Sequence, residues 1–269
     1  MEAGGEVSEF EREFFIETQE KVMGKKVSDS LSELLPDGKI RCGLCHHGCV
    51  LGDGGGRICG VRRRQGAEIV SLVYGRLVAE HVDPIEKKPF FHVLPGSTSY
   101  SIATVGCNFA CLHCQNSSIS QVKLVSGGSV PGRMRKAEEV VTAALDSGCR
   151  SISYTYVEPT VFFEFALDCC RLAQVSGLKN LFVSNGYMTD RVLELLDPYL
   201  DAINIDLKSF SESFYKRVCG ARLEPVRETI RECVRRGVWV EVTTLLIPGM
   251  NDSDDELADI ARFLVDIDP

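Results

Sequence analysis

From Ser99 onward the chain alternates between two hydrophobic periods. Short, largely apolar runs begin at Ser99 (SYSIATVG), Ser151 (SISYTYV), Leu181 (LFVSNG), Ala202 (AINIDLK) and Val238 (VWVEVTTLLIP). Between and after them lie stretches whose apolar residues recur every three or four positions: Arg135–Ser147, Thr160–Ser176, Thr189–Leu200, Leu223–Arg236 and Asp252–Val265. In the first of these stretches Val140, Val141, Ala144 and Leu145 share one side. The runs predict strands and the stretches helices. Pro225 falls in the first turn of its helix, where a missing N–H costs little. Strand and helix thus alternate five times over short connections. Strands buried on both faces imply a parallel sheet with helices outside it, an α/β fold of partial-barrel type.

The predicted strands end on polar or reactive residues: Cys107, Glu158, Asn185, Asp206 and Thr244. Capping or turn formation explains any one of them. Five in succession point to the C-terminal edge of the sheet, where barrel-like α/β folds carry their active sites.

Upstream the pattern is less regular. Residues 8–23 place Phe10, Phe14, Phe15 and Val22 at helical spacing among charges, which predicts an N-terminal helix. LPDGK at Leu35–Lys39 is turn chemistry and marks a boundary. Residues 40–66 are rich in Cys and Gly and too poor in large apolar residues to build a core, so a metal is expected there. Glu68–Val82 reads as one or two short strands, and Asp83–Ser97 as a proline-punctuated crossing segment. The expected division is an N-terminal helical extension (1–38), a Cys-rich metal-binding segment with crossing strands (39–95) and the α/β unit (96–269). The chain stops just after its fifth predicted helix, where a barrel would want another strand. The expectation is a sequence cut short of its natural C-terminus.

Composition narrows the function classes. The 269 residues are 44% hydrophobic and 25% charged, as in an ordinary folded protein. The net charge is −8 and the one basic run, Arg62–Arg64, reads as solvated surface, so nucleic acid is not an expected partner. No apolar run approaches the roughly 18 residues of a membrane span, and the acidic N-terminus lacks an export signal. A cytoplasmic location follows. Twelve cysteines in a reducing compartment read as metal ligands where clustered and as buried small hydrophobes where scattered, at Cys149, Cys169, Cys170, Cys219 and Cys233.

Two clusters stand out. The first, VGCNFACLHCQN, holds Cys107, Cys111 and Cys114 as CxxxCxxC directly after the first strand of the repeat. Three thiolates hold three irons of a [4Fe–4S] cube and leave the fourth open for a ligand. This loop resembles the signature of the radical SAM superfamily, CxxxCxΦC with Φ aromatic; His113 occupies that slot. PIEKKPFFHVLPGS, YTYVEPT, SNGYM, DLKSF and TTLLIPGMND extend the likeness to the pyruvate formate-lyase activating enzyme-like branch, nearest the radical SAM proteins associated with Memo-like partners.

The resemblance implies an oxidoreductase that cleaves S-adenosylmethionine (SAM) reductively at its cluster. The product is a 5′-deoxyadenosyl radical that abstracts hydrogen, with glycyl-radical activation of a protein partner as one outcome. It also implies a low-potential donor, a ferredoxin or flavodoxin. Cys107, Cys111 and Cys114 would ligate the cluster and His113 would pack near the adenine. Glu158, with Thr155 beside it, would stand for the family's GGE carboxylate facing the SAM amino group, although the two glycines are absent. Asn185 would orient the cofactor, Asp206 and Lys208 would point together into the site with Lys208 at the SAM carboxylate, and Leu246 and Ile247 would flank the adenine. The alternatives are radical modification of a small molecule or a protein side chain, or a non-catalytic iron–sulfur electron carrier. The second cluster, Cys42, Cys45, Cys49 and Cys59, has four thiols and suits a closed site, either Zn²⁺ or a second Fe–S cluster. Lys87 and Lys88, between prolines, read as a solvated turn or as a lid over the site.

Overall fold

The computed structural model describes residues 31–52, 58–66, 68–122 and 129–268; the helix expected over 8–23 lies outside them. Strands β1 (Ser32–Leu34), β2 (Ile40–Cys42) and β3 (Val50–Leu51) form a small antiparallel sheet, followed by a hairpin of β4 (Arg62–Gln65) and β5 (Glu68–Ser71). LPDGK closes the β1–β2 hairpin, in which Leu35 N–H donates to the Lys39 carbonyl at 2.8 Å. Next come β6 (Arg76–Leu77), β7 (Ala79–Pro84), β8 (Thr98–Ala103), the single turn α1 (Ser117–Ser120) and β9 (Arg133–Met134), which pairs with β6. The remainder alternates: α2 (Ala137–Asp146), β10 (Ser151–Tyr154), α3 (Phe163–Val175), β11 (Lys179–Ser184), α4 (Asp190–Leu196), β12 (Ala202–Asp206), α5 (Glu212–Phe214), α6 (Leu223–Arg235), β13 (Trp239–Thr243) and α7 (Asp254–Ile267).

The main sheet runs β13-β12-β11-β10-β8-β7. Its five strands from β8 to β13 pair in parallel and in chain order, as short right-handed crossovers require; β7 is antiparallel to β8 at the edge. This is an α/β architecture with a mostly parallel sheet, as the period of the sequence implied. Ile102, Ile152, Phe182, Ile203 and Ile205 are buried in the sheet, and the apolar faces of α2, α3 and α6 cover it. The scattered cysteines Cys149, Cys169, Cys170, Cys219 and Cys233 are all buried. Pairing crosses residue 38 within the β1–β2 hairpin and residue 95 between β7 and β8.

Arg62 departs from the reading of Arg64 and its neighbours as solvated surface. Only 5% exposed, it makes a two-pronged ion pair with Glu164 of α3. Packing of the Cys-rich segment against the sheet buries this one member of the triplet.

At Gly106 the Cys-rich segment packs directly against the loop after β8. The Gly106 φ is +99°, and a Cβ there would lie 2.5 Å from Val61 Cγ1 and 2.9 Å from the Cys59 carbonyl oxygen. Gly106→Ala should destabilise the protein by about 2–4 kcal/mol, combining left-handed strain with overpacking. A shift of the denaturant midpoint checks this; an unchanged midpoint contradicts the contact.

Candidate functional site

The C-terminal ends of the parallel strands surround one cavity of about 550 Å³, within the range of pockets that enclose cofactor-sized ligands. Cys107, Cys111 and Cys114 line one side of it. Their loop leaves β8 and is held by its own backbone. Ala110 N–H and Leu112 N–H donate to the carbonyls of Cys219 and Val218 at 2.9 and 3.0 Å, and Gln121 Nε2 donates to the Cys111 carbonyl at 3.1 Å. Cys219 and Val218 belong to a π-helical turn, Tyr215–Cys219, that ends on Gly220 in the left-handed region; such turns recur at functional sites. Burial pushes the Cys107 thiol up to about 12, with the Glu158 charge acting in the same direction. A metal must therefore displace a proton there to bind.

Among the described residues no three His, Cys, Asp or Glu side chains converge on one point as a single metal ion demands. A cube makes no such demand, because each thiolate binds a different iron. Three thiols facing one large cavity, with no fourth cysteine lining it among the described residues, fit a three-ligand cluster.

The second strand end turns sharply. β10 stops at Tyr154, three residues short of the predicted run, because Tyr156 adopts φ +63° and Val157 N–H donates to the Thr155 carbonyl at 2.7 Å. A tyrosine here takes a backbone conformation that normally favours glycine. Asn116 of the cluster loop clamps this turn, donating from Nδ2 to the Tyr156 carbonyl at 2.7 Å. Thr155 and Glu158 both line the cavity.

The Glu158 carboxylate, 3% exposed, is already engaged by its own chain. It accepts from Thr160 N and Oγ1 at 3.1 and 2.5 Å, from Ser184 Oγ at 3.0 and 3.1 Å, and from Asn185 N at 2.8 Å. Burial nevertheless raises its pKa, outweighing these donors. Its first task is to position Ser184 and Asn185; a bound amino group would have to share its oxygens.

Asn185 lines the cavity and donates from Nδ2 to Asn108 Oδ1 at 2.7 Å, with Cys107 Sγ at 3.8 Å. Asp206 and Lys208 face the cavity as a pair, Nζ to Oδ2 at 2.9 Å. The Asp206 and Cys111 charges raise the Lys208 pKa against the opposing effect of burial, so Lys208 is cationic at neutral pH. His113 lines the cavity with its Nδ1 buried and unpartnered, and burial lowers its pKa.

Leu246 and Ile247 are not among the residues that line the cavity; Leu245 is. The predicted run ends as a strand at Thr243, after which buried Asn251 gathers the loop. Its Oδ1 accepts from Ile247 N at 2.7 Å, and its Nδ2 donates to the carbonyls of Leu245 and Lys208 at 2.9 and 2.7 Å. Strand alternation therefore does not govern which leucine faces inward.

Lys87 and Lys88 also line the cavity, and the structure shows how Lys88 is held there. Lys88, 2% exposed, pairs with Asp83 at 2.7 Å and stands 3.9 Å over the Tyr156 ring. It is a buried anchor, neither a solvated turn nor a free lid; Lys87, bound to the same carboxylate at 2.7 Å, is mostly exposed. The PIEKKP motif was the signal, but its partner lies on β7.

Parallel strands that deliver three cysteines and a ring of polar side chains to one cavity define an iron–sulfur enzyme of the α/β class. The chain belongs to the radical SAM superfamily, which it matches over residues 101–264. Membership implies a [4Fe–4S] cluster and SAM. The chain is 42% identical over 234 residues to the uncharacterized protein MJ0808 of Methanocaldococcus jannaschii, covering 87% of this chain and 68% of that protein. It is 23% identical over 166 residues to the pyruvate formate-lyase 1-activating enzyme of Escherichia coli K12, covering 60% of this chain and 66% of that enzyme. It is 27% identical over 169 residues to the mitochondrial GTP 3′,8-cyclase of Arabidopsis thaliana, covering 61% and 42%. The chain thus spans about two thirds of the first two relatives. None of the three links it to Memo-like proteins. Among the described residues no helix is long and apolar enough to cross a membrane.

Proposed function

We propose that the chain is a radical-generating activase that acts on a polypeptide partner in a reducing compartment. The support is the three-thiol side of the cavity facing Lys208, Asn185 and Glu158, together with the likeness to a pyruvate formate-lyase activating enzyme. When bound, the cluster and SAM supply a hydrogen-abstracting 5′-deoxyadenosyl radical on receipt of one electron from a ferredoxin- or flavodoxin-like donor.

Cys107, Cys111 and Cys114 hold the cluster. The Lys208 ammonium meets the SAM carboxylate, and Asp206, already its partner, keeps that ammonium in place. Asn185 orients the methionine portion from beside Cys107, and Thr155 and Glu158 shape the turn next to it. His113 offers a ring and an unpartnered nitrogen to the adenine, with Leu245 across the cavity. These walls would shield the reacting atoms from water.

The test is anaerobic reconstitution followed by dithionite and SAM. The expected products are methionine and 5′-deoxyadenosine, and the reduced cluster's electron paramagnetic resonance should change when SAM is added. No nucleoside and an unmoved spectrum would overturn the reading. Transfer of deuterium from a deuterated glycine-containing partner peptide into 5′-deoxyadenosine is the result expected of an activase; transfer only from small molecules would remove that part of the proposal.

A further inference from the structure

Cys42, Cys45, Cys49 and Cys59 line a second, separate cavity together with Arg62 and Asn108. The backbone builds it. Cys42 N–H donates to the Cys49 carbonyl at 2.9 Å, and Gly48, at φ +54°, lets its N–H return to the Cys45 carbonyl at 3.0 Å. The loop after β11 fixes the whole knuckle: His46 N–H donates to the Tyr187 carbonyl at 3.1 Å, and Thr189 Oγ1 to the Gly43 carbonyl at 2.7 Å. We propose that this cavity holds a second iron–sulfur cluster, ligated by the four cysteines, rather than a single zinc ion.

Two observations separate the two metals. Zinc draws four thiolates around one point at about 2.3 Å each, yet among the described residues no three such donors converge in that way. The four thiols instead border a body of space. That space gives about 30 Å³ to the centre of a water-sized sphere, roughly twice the ~10–15 Å³ that one water needs. A tetrahedral zinc site, closed by its own sulfurs, has no use for such room, whereas a cube with each thiolate on its own iron fills it.

A pair of orphan donors marks the space as built for an anionic group. Arg62 and Asn108 are 5% and 1% exposed, and Arg62 Nε and Asn108 Nδ2 are buried without partners. Unpaired buried donors are costly, and although Glu164 already balances the Arg62 charge, the Arg62 Nε still lacks an acceptor. Inorganic sulfides and cluster thiolates accept such N–H groups and carry the negative charge. These donors suit an anionic, sulfur-ligated centre and, since a tetrathiolate zinc is equally anionic, leave the choice of metal to the geometry of the thiols. Asn108 is also the wall between the two sites, since its Oδ1 receives Asn185 Nδ2 and its carbonyl lies 2.7 Å from His47 Nε2.

This inference does not depend on what the main cavity acts on. It is tested by metal and sulfide counts on three anaerobically reconstituted proteins: the full chain, Cys107→Ala/Cys111→Ala/Cys114→Ala and Cys45→Ala/Cys49→Ala. Two clusters predict about 8 iron and 8 sulfide per chain in the first and about half in each variant. The triple variant should keep a reduced-cluster signal that SAM does not shift, and the double variant one that it does. One zinc and no iron in a folded triple variant, or no metal in it, would overturn the proposal. Should the triple variant not fold, the double variant decides: iron halved relative to the full chain supports the proposal, and iron unchanged overturns it.

Discussion

Cys111→Ala should lower reductive SAM cleavage by about a thousandfold or more, to the level of cluster-free protein, which in barrier terms is over ~4 kcal/mol. A cube held by three thiolates has no ligand to spare, so a second unprotected iron lets it fall apart. The substitution isolates the thiol, because the loop's fold rests on backbone contacts that alanine keeps: the Cys111 carbonyl still receives Gln121, and Ala110 and Leu112 still bond the Tyr215–Cys219 turn. The neighbouring Cys219 supplies the control. Its thiol touches that of Cys111, a contact that together with burial raises the Cys111 pKa, but Cys219 does not line the cavity. Cys219→Ala should keep the cluster and its turnover. Iron content and 5′-deoxyadenosine formation read both variants; undiminished product in Cys111→Ala would remove the basis of the assigned site.

Asp83→Ala should cost about 3–5 kcal/mol of stability, the penalty for leaving a buried charge alone. Lys88 has 2% of its side chain exposed and Asp83 as its ion-pair partner. The same carboxylate accepts the Tyr156 hydroxyl and so helps to hold the left-handed backbone of the turn that presents Thr155 and Glu158. Weaker SAM binding should accompany the loss. Burial alone would raise the Asp83 pKa, but hydrogen bonds from Lys87, Lys88 and Tyr156 outweigh it and depress the carboxyl below its ordinary 3.8. A depressed carboxyl stabilises the fold fully above its unfolded pKa and loses that contribution only as pH falls below it. Burial already lowers the Lys88 pKa with Asp83 beside it and lowers it further without it, so the gap between wild type and variant should be widest near about pH 5 and narrow as pH rises and the unpaired lysine gives up its proton, as denaturant midpoints will show. Asp83→Leu/Lys88→Met, which removes both charges, should recover much of the loss. If the single variant is as stable as wild type, the pair is not an anchor.

The strand–helix rhythm was legible because period is a local property: Ser151–Tyr154 and Phe163–Val175 declare themselves through their own residues. The three-cysteine loop was legible for the same reason, since eight consecutive positions carry its spacing. Leu246 and Ile247, expected beside the adenine from the resemblance, do not line the cavity, whereas Leu245 does; the ladder ends at Thr243 and Asn251 gathers the loop beyond it. Arg62 read as surface because a charge triplet does not reveal the acid it meets 102 residues later. Glu158 read as a cap or as a carboxylate facing the SAM amino group; that it also receives Ser184 and Asn185 was not legible, because those donors come from another strand end.

Alone, the sequence determined the parallel α/β order, the two cysteine sets and the polar character of the strand ends, since spacing and alternation are written within a few consecutive residues. Only the tertiary structure decided that Lys88 is buried on Asp83 and Tyr156, that Leu245 faces the cavity, and that Asn108 stands between two thiol-lined spaces. Those outcomes depend on which distant segments pack together, and burial and pairing across such distances are set by the whole core rather than by any local pattern.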